Sequence, residues 1–292
     1  MSSITVPALV ETDWLEQHLL EPDLRVLDCT VFLRFDPETG TRGAETGRAD
    51  WEQAHIPGAA FADLLSDLSE TDNPRFPMEM PTAEKFAASM SALGVSNDSA
   101  VVLYDAAGNM WAARVWWMLR AFGFTNAGVL NGGWKKWEAE GRPTASETPD
   151  ITPGNFTPNP QPELIAQKED VLASINEGST CILNALGAED FRGEGPPKYA
   201  RSGRIPSSVN VPAMGAIVDP DTATYRSADE LQAHFGEAGA TEREKVITYC
   251  GGGIAASSAA FALHLIGVNN VAVYDGSMSE WANDPEMPME QG

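Results

Sequence analysis

Positive charge is what this chain is short of. Its 292 residues hold 19 Lys and Arg against 42 Asp and Glu, a formal net charge of −23. Binding a phosphate backbone needs a basic footprint, so no nucleic-acid partner is expected. The surplus acid is spread along the chain rather than gathered in a tail, and it reads as a solvated surface. Long apolar runs are missing too. None approaches the roughly 18 residues that cross a bilayer, so no membrane partner is expected. The opening stretch lacks a basic segment followed by an apolar one, so no secretory signal is expected either. Cysteine is scarce: Cys29, Cys181 and Cys250 are odd in number and far apart. They form neither a disulfide framework nor a paired-cysteine zinc pattern. That points to a reducing cytoplasm, where a free thiol persists. Phosphate-binding signatures are absent as well: there is no G-x-G-x-x-G and no glycine loop ending in G-K-[ST].

Against these absences one stretch stands out, VITYCGGGIAASS at 246–258. Val246-Ile247-Thr248-Tyr249 reads as a buried strand that stops at Cys250. Gly251, Gly252 and Gly253 follow, and 254–265 reads as a helix closed by Gly267. A lone cysteine therefore lies on a glycine turn between strand and helix. The N–H groups of such a turn, from Gly251 through Ile254, Ala255 and Ala256, have no intrahelical partner and can converge on one anion. The natural anion is the thiolate of Cys250, a nucleophile. Cys29 and Cys181 fall on core strands and are expected to be inert.

The chain also repeats itself. LRVLDC at 24–29 resembles TCILNA at 180–185, and HIPGA at 55–59 resembles RIPSS at 204–208. VVLYD at 101–105 resembles VITYC at 246–250, and LNGGW at 130–134 resembles YDGSM at 274–278. The offset falls from 156 residues (24 to 180) to 144 (130 to 274), so the longer insertions lie in the first half. Two domains follow, at 1–142 and 163–292, each alternating strands and helices and hence α/β with a mainly parallel sheet. Helices are expected at 13–20, 82–93 with Thr82 as cap, 110–122, 168–176 and 228–235. Trp116, Trp117 and Leu119 should pack in a core, and His55 should be structural. The proline-rich stretch 143–162 reads as a semi-extended linker draped over one domain. Asp105 holds the position of Cys250 in the first half, and its loop, Ala106 to Asn109, is no glycine cradle. One reactive site per chain is expected.

These motifs resemble the tandem-domain rhodaneses, the thiosulfate and 3-mercaptopyruvate sulfurtransferases. The resemblance rests on HIPGA, RVWWMLRAFG at 114–123, NGGW at 131–134, YCGGGIAAS at 249–257 and YDGSMSEW at 274–281. It implies two tandem rhodanese-like domains, each a mainly parallel sheet with helices on both faces. It implies that Cys250 takes sulfur from a small anionic donor as a persulfide and passes it to cyanide or to a thiol such as thioredoxin or glutathione, with no cofactor and no metal. A non-catalytic persulfide carrier or sulfur-relay protein is the alternative. The loop departs from the mercaptopyruvate pattern, with Gly252 for a serine and Ala255 for a threonine, so thiosulfate is the expected donor. The family's donor-gripping arginines are replaced by Leu186 and Asp190 near Asn184. Arg204, with Lys198, is expected to bind the donor's anionic end instead. A phosphatase of the C-x5-R kind is set aside, because Ala256 stands where its arginine would be.

Overall fold

The computed structural model describes residues 4–35, 42–195 and 197–292. It falls into two compact units, each with one five-stranded parallel sheet. The first unit is Met1–Asp72, Met80–Pro160 and Asp221–Thr224; the second is Asn73–Glu79, Gln161–Pro220 and Tyr225–Gly292. The short exchanges 73–79 and 221–224 leave no trace in the sequence pattern.

In the first unit, β1 (Leu9–Val10), α1 (Thr12–His18) and β2 (Leu24–Asp28) lead into a hairpin of β3 (Val31–Phe35) and β4 (Arg42–Thr46). Then come α2 (Arg48–Gln53), β5 (Ala60–Phe61), α3 (Ala83–Ala92), β6 (Ala100–Tyr104), α4 (Met110–Ala121), β7 (Ala127–Leu130) and α5 (Gly133–Ala139). The second unit carries β8 (Ile165–Ala166), α6 (Lys168–Ser174), β9 (Thr180–Asn184), α7 (Ala188–Arg192) and β10 (Val209–Asn210). It continues through α8 (Ala228–Glu237), β11 (Lys245–Tyr249), α9 (Ile254–Leu265), β12 (Val271–Tyr274) and α10 (Ser277–Trp281).

The sheet orders are β1-β7-β6-β2-β5 and β8-β12-β11-β9-β10. Counted within each unit, and leaving the hairpin aside, both read first-fifth-fourth-second-third. The repeat extends to register: Asp28 pairs with Tyr104, and Asn184 with Tyr249. β6 is buried along its whole length and β11 along four of its five residues, as central strands covered on both faces must be. Each unit also hides a tryptophan that needs an acceptor for its indole N–H. Trp137 donates to the carbonyl of Pro143 and Trp281 to that of Pro288, both at 2.8 Å.

Local chemistry sets the helix ends. Thr82 caps α3 by accepting from the Lys85 N–H, and Ser227 forms a capping box with Glu230 at α8. Trp116, Trp117 and Leu119 of α4 are buried in the first unit's core. The proline-rich stretch is no free-standing linker, because the first unit runs through Pro160. Ala145 bridges to His55, Asn159 donates to the Phe122 carbonyl, and buried Phe156 packs edge-on against Phe86. Prolines keep the segment extended, while phenylalanine and amide groups fasten it down.

Candidate active site

Ligand sites on parallel sheets form beyond the carboxyl ends of the strands. Cys250 lies there, immediately after β11, and is 2% exposed. The loop behind it is turned by bonds to the start of α10. The carbonyl of Cys250 accepts from Met278 N–H at 3.0 Å. The carbonyl of Gly251 accepts from the N–H and the hydroxyl of Ser279, at 2.9 and 2.7 Å. These carbonyls are drawn toward α10, and the N–H groups of the loop divide into two sets. Those of Gly251, Gly252, Ile254, Ala255 and Ala256 have no acceptor among the described residues. Gly253, the residue before α9, has φ +81°, a left-handed conformation that admits the sharp turn into the helix.

Ser277 holds the remaining two N–H groups of the loop. Its Oγ accepts from Cys250 N–H at 3.0 Å and Gly253 N–H at 3.2 Å, and donates to the Tyr274 carbonyl at 2.8 Å. Both lone pairs and the single proton of the hydroxyl are thereby used. Ser277 is fully buried with φ +46°, a strained backbone for any residue with a Cβ. Its counterpart in the first unit is Gly133, at φ +53°. The strain places a hydroxyl under the nucleophile.

The first unit contains the same nest, already filled. Asp105 Oδ1 accepts from the N–H groups of Ala107 and Asn109 at 2.7 and 2.9 Å. Its Oδ2 accepts from those of Trp111 and Ala112 at 3.0 and 2.9 Å. The loop 106–109, no glycine cradle, nevertheless turns its N–H groups and those of the helix start onto its own carboxylate. Burial pushes the Asp105 carboxyl up, and the four N–H donors pull it back down.

The other sequence-named residues divide. Gly251, Gly252 and Gly253 form the turn after Cys250, and Ile254, Ala255 and Ala256 open α9. Arg204 does not join them. Its guanidinium pairs with Glu290, donates to the Gly292 carbonyl and lies 4.7 Å over the Phe191 ring. Its backbone bridges to Glu290 just as His55 bridges to Ala145. Its charge is matched by the C-terminal tail. Lys198 pairs with Asp190 at 2.5 Å, so its charge is matched as well. Asn184 Oδ1 accepts from Leu186 N–H at 2.8 Å, a local turn rather than a ligand contact. His55 is buried, stacked 4.5 Å from Trp51 and bonded to the Trp51 carbonyl.

The other two thiols are unsuited to nucleophilic work. Burial, with the charges of Asp28 and Asp105 behind it, pushes the Cys29 thiol well above its ordinary value. Burial likewise pushes the Cys181 thiol up to about 11.

Sequence reasoning missed three groups at the loop. Ser277 was quoted in a motif without a role; a serine aligned with a glycine at a tight turn was the available signal. Pro77 comes from the 73–79 exchange, and its carbonyl lies 3.8 Å from where a Cβ on Gly252 would stand. The Tyr199 hydroxyl lies 2.1 Å from the corresponding point on Gly251. Neither Pro77 nor Tyr199 carries a sequence signal.

Comparison with known proteins gives a consistent picture. The family described as a Rhodanese-like domain matches residues 11–140 and 167–284. The chain is 34% identical to the sulfur carrier protein TtuD of Thermus thermophilus, over 97% of this chain and 96% of that one. It is 35% identical to a thiosulfate sulfurtransferase of Rattus norvegicus, over 98% and 96%. The crystal structure of SseA, a 3-mercaptopyruvate sulfotransferase of Escherichia coli, superposes with a TM-score of 0.80 at 31% identity, covering 94% of this chain and all of that one.

Proposed function

The chain belongs to the rhodanese family, and from that premise we propose that it is a sulfurtransferase working through a persulfide on Cys250. The observation that carries the reading is the contrast between the two nests. In the first unit four N–H groups are satisfied by Asp105. In the second, five N–H groups of the loop and helix start that follow Cys250 have no acceptor among the described residues. Such groups stabilise negative charge on a thiolate, and equally on the sulfur one bond further out.

The reaction needs two displacements. The Cys250 thiolate attacks the outer sulfur of thiosulfate; a new S–S bond forms, the old one breaks, and its electron pair leaves with sulfite. Cyanide or a thiolate then attacks the outer sulfur of the persulfide and regenerates the Cys250 thiolate. This is double-displacement covalent catalysis. Thiosulfate is placed ahead of 3-mercaptopyruvate because position 252 offers no hydroxyl. Thioredoxin and glutathione are the acceptors of the required thiol chemistry. The three cysteines are free and buried, in keeping with a reducing, cytoplasmic setting.

Incubation with thiosulfate and cyanide should release thiocyanate. Cys250→Ser should abolish it, while Cys29→Ser and Cys181→Ser should retain it. Substantial turnover by Cys250→Ser would sink the mechanism. One relative is named a sulfur carrier, and this supports a second reading as a persulfide carrier. No turnover with either donor, together with a one-sulfur mass gain on Cys250 from a desulfurase, would establish that reading instead.

A further inference from the structure

Both displacements move negative charge at a site where most cations of the same unit already have partners. The second unit holds nine Lys and Arg residues. Arg75, Lys168, Arg192, Lys198, Arg204 and Arg226 each pair with a carboxylate. Arg201 and Arg243 end on backbone carbonyls. Lys245 opens β11, whereas Cys250 follows its last residue; five residues of strand separate them by about 16 Å. The polar group that does reach the cradle is a phenol. Tyr199 packs its half-buried ring against the core cluster that holds Tyr249 and Tyr274. The hydroxyl is thereby brought to the α-carbon of Gly251, the residue next to the nucleophile.

We infer that the Tyr199 hydroxyl is a substrate-contacting group of the Cys250 site, a neutral hydrogen-bond donor to the leaving group of the sulfur donor. The inference rests on the sulfurtransferase reading above. In the loading step the Cys250 thiolate forms a bond to the outer sulfur, the S–S bond of thiosulfate breaks, and sulfite departs with the pair. Tyr199 keeps its proton throughout and donates a hydrogen bond to a sulfite oxygen as charge gathers there. A donor aimed at developing charge acts on the transition state more than on the bound ground state. It also adds no net charge, which suits a site that must release a dianion after each loading step.

The test is Tyr199→Phe, which keeps the ring and its packing and removes one oxygen. Rapid-mix loading with thiosulfate, followed by the mass of Cys250 and by sulfite release, should slow by about tenfold to a hundredfold. Alkylation of Cys250 by iodoacetamide, which expels no oxyanion, should keep its rate, and the thermal midpoint should hold. Equal loading by wild type and Tyr199→Phe overturns the inference, as does a matching loss in alkylation, which would mean the phenol only shapes the loop. A wild type that takes up no sulfur at all would instead overturn the underlying sulfurtransferase reading. Gly251→Ala gives a second reading of the same contact. Its Cβ would stand 2.1 Å from the phenol oxygen but 3.2 Å from the nearest ring carbon. It should slow loading in the wild type by displacing the hydroxyl, and slow it little further in Tyr199→Phe. Fully additive losses would refute the assignment.

Discussion

Replacing Asp28 by asparagine should flatten the pH dependence of the first unit's stability between pH 4 and pH 6. Asp28 ends β2, is buried, and has its carboxyl pushed by burial from the usual 3.8 to about 6, with hydrogen bonds from Thr30 and Tyr104 opposing the rise. Across that window the folded protein keeps a proton that the unfolded chain has lost. Stability therefore falls as pH rises, by about 1.4 kcal/mol per pH unit and about 3 kcal/mol in all. The loss is absent below pH 3.8 and complete above pH 6. The second unit supplies the control. Asn184 occupies the equivalent register position and still accepts a backbone N–H, that of Leu186, at 2.8 Å. The Tyr249 hydroxyl meets the Asn184 side chain, so an asparagine at 28 exchanges donor and acceptor roles toward Tyr104, at a cost of about 1–3 kcal/mol at every pH. Asp28→Asn should then be less stable than wild type at pH 4 and equal or better at pH 7. Urea unfolding followed by tryptophan fluorescence reads the right unit, because seven of the eight tryptophans, all but Trp281, lie in it. Other titrating carboxylates cancel in the difference between the two proteins. Parallel pH profiles for wild type and Asp28→Asn would refute the reasoning.

Ser277→Ala removes three hydrogen bonds at a buried point and leaves the N–H groups of Cys250 and Gly253 unmet, so stability should drop by about 2–4 kcal/mol and thiocyanate formation should fall with it. Ser277→Gly should recover part of the stability by relieving φ +46° but none of the activity; full activity in Ser277→Gly would remove the hydroxyl from the account. Arg204→Ala should leave the KM for thiosulfate unchanged and lower stability by about 1 kcal/mol, because it loses a half-exposed ion pair and a stacked ring rather than a substrate contact. A several-fold rise in KM with the fold intact would return Arg204 to the site.

The fold was legible because the chain writes it twice. Four paired motifs located eight of the ten parallel strands or their flanking turns. Periodicity located α4 and α9 to within a residue, since both are apolar helices bounded by glycine. The nucleophile and its cradle were legible because three glycines after a strand have few other uses. What was not legible depends on where side chains of distant residues end. Arg204 read as a ligand because it stands at the histidine of the family's GHIPGA motif while the usual donor-gripping arginines are missing. Its partners, Glu290 and Gly292, are 86 and 88 residues away. Nothing in the sequence brings the Tyr199 hydroxyl to Gly251. The Asp105 loop carries no glycine signature, yet alanine and asparagine supply N–H groups as well as glycine does.

That last point bears on why one half reacts and the other does not. In both halves a strand delivers a residue to a nest of N–H groups ahead of a helix, and in both that residue's carbonyl accepts from the start of the next helix, from Trp134 in one case and Met278 in the other. The nests differ in the anion they admit. A carboxylate at 105 reaches four N–H groups with its own two oxygens and is complete. A thiolate at 250 offers a single atom. It leaves room in the nest for the second sulfur that a persulfide adds, and that sulfur arrives and departs without rebuilding the loop. The serine at 277 fits the same logic. It satisfies two N–H groups of the loop, Cys250 and Gly253, while the other five have no acceptor among the described residues. The catalytic half is thus the copy in which the nest's anion is only partly supplied by the chain.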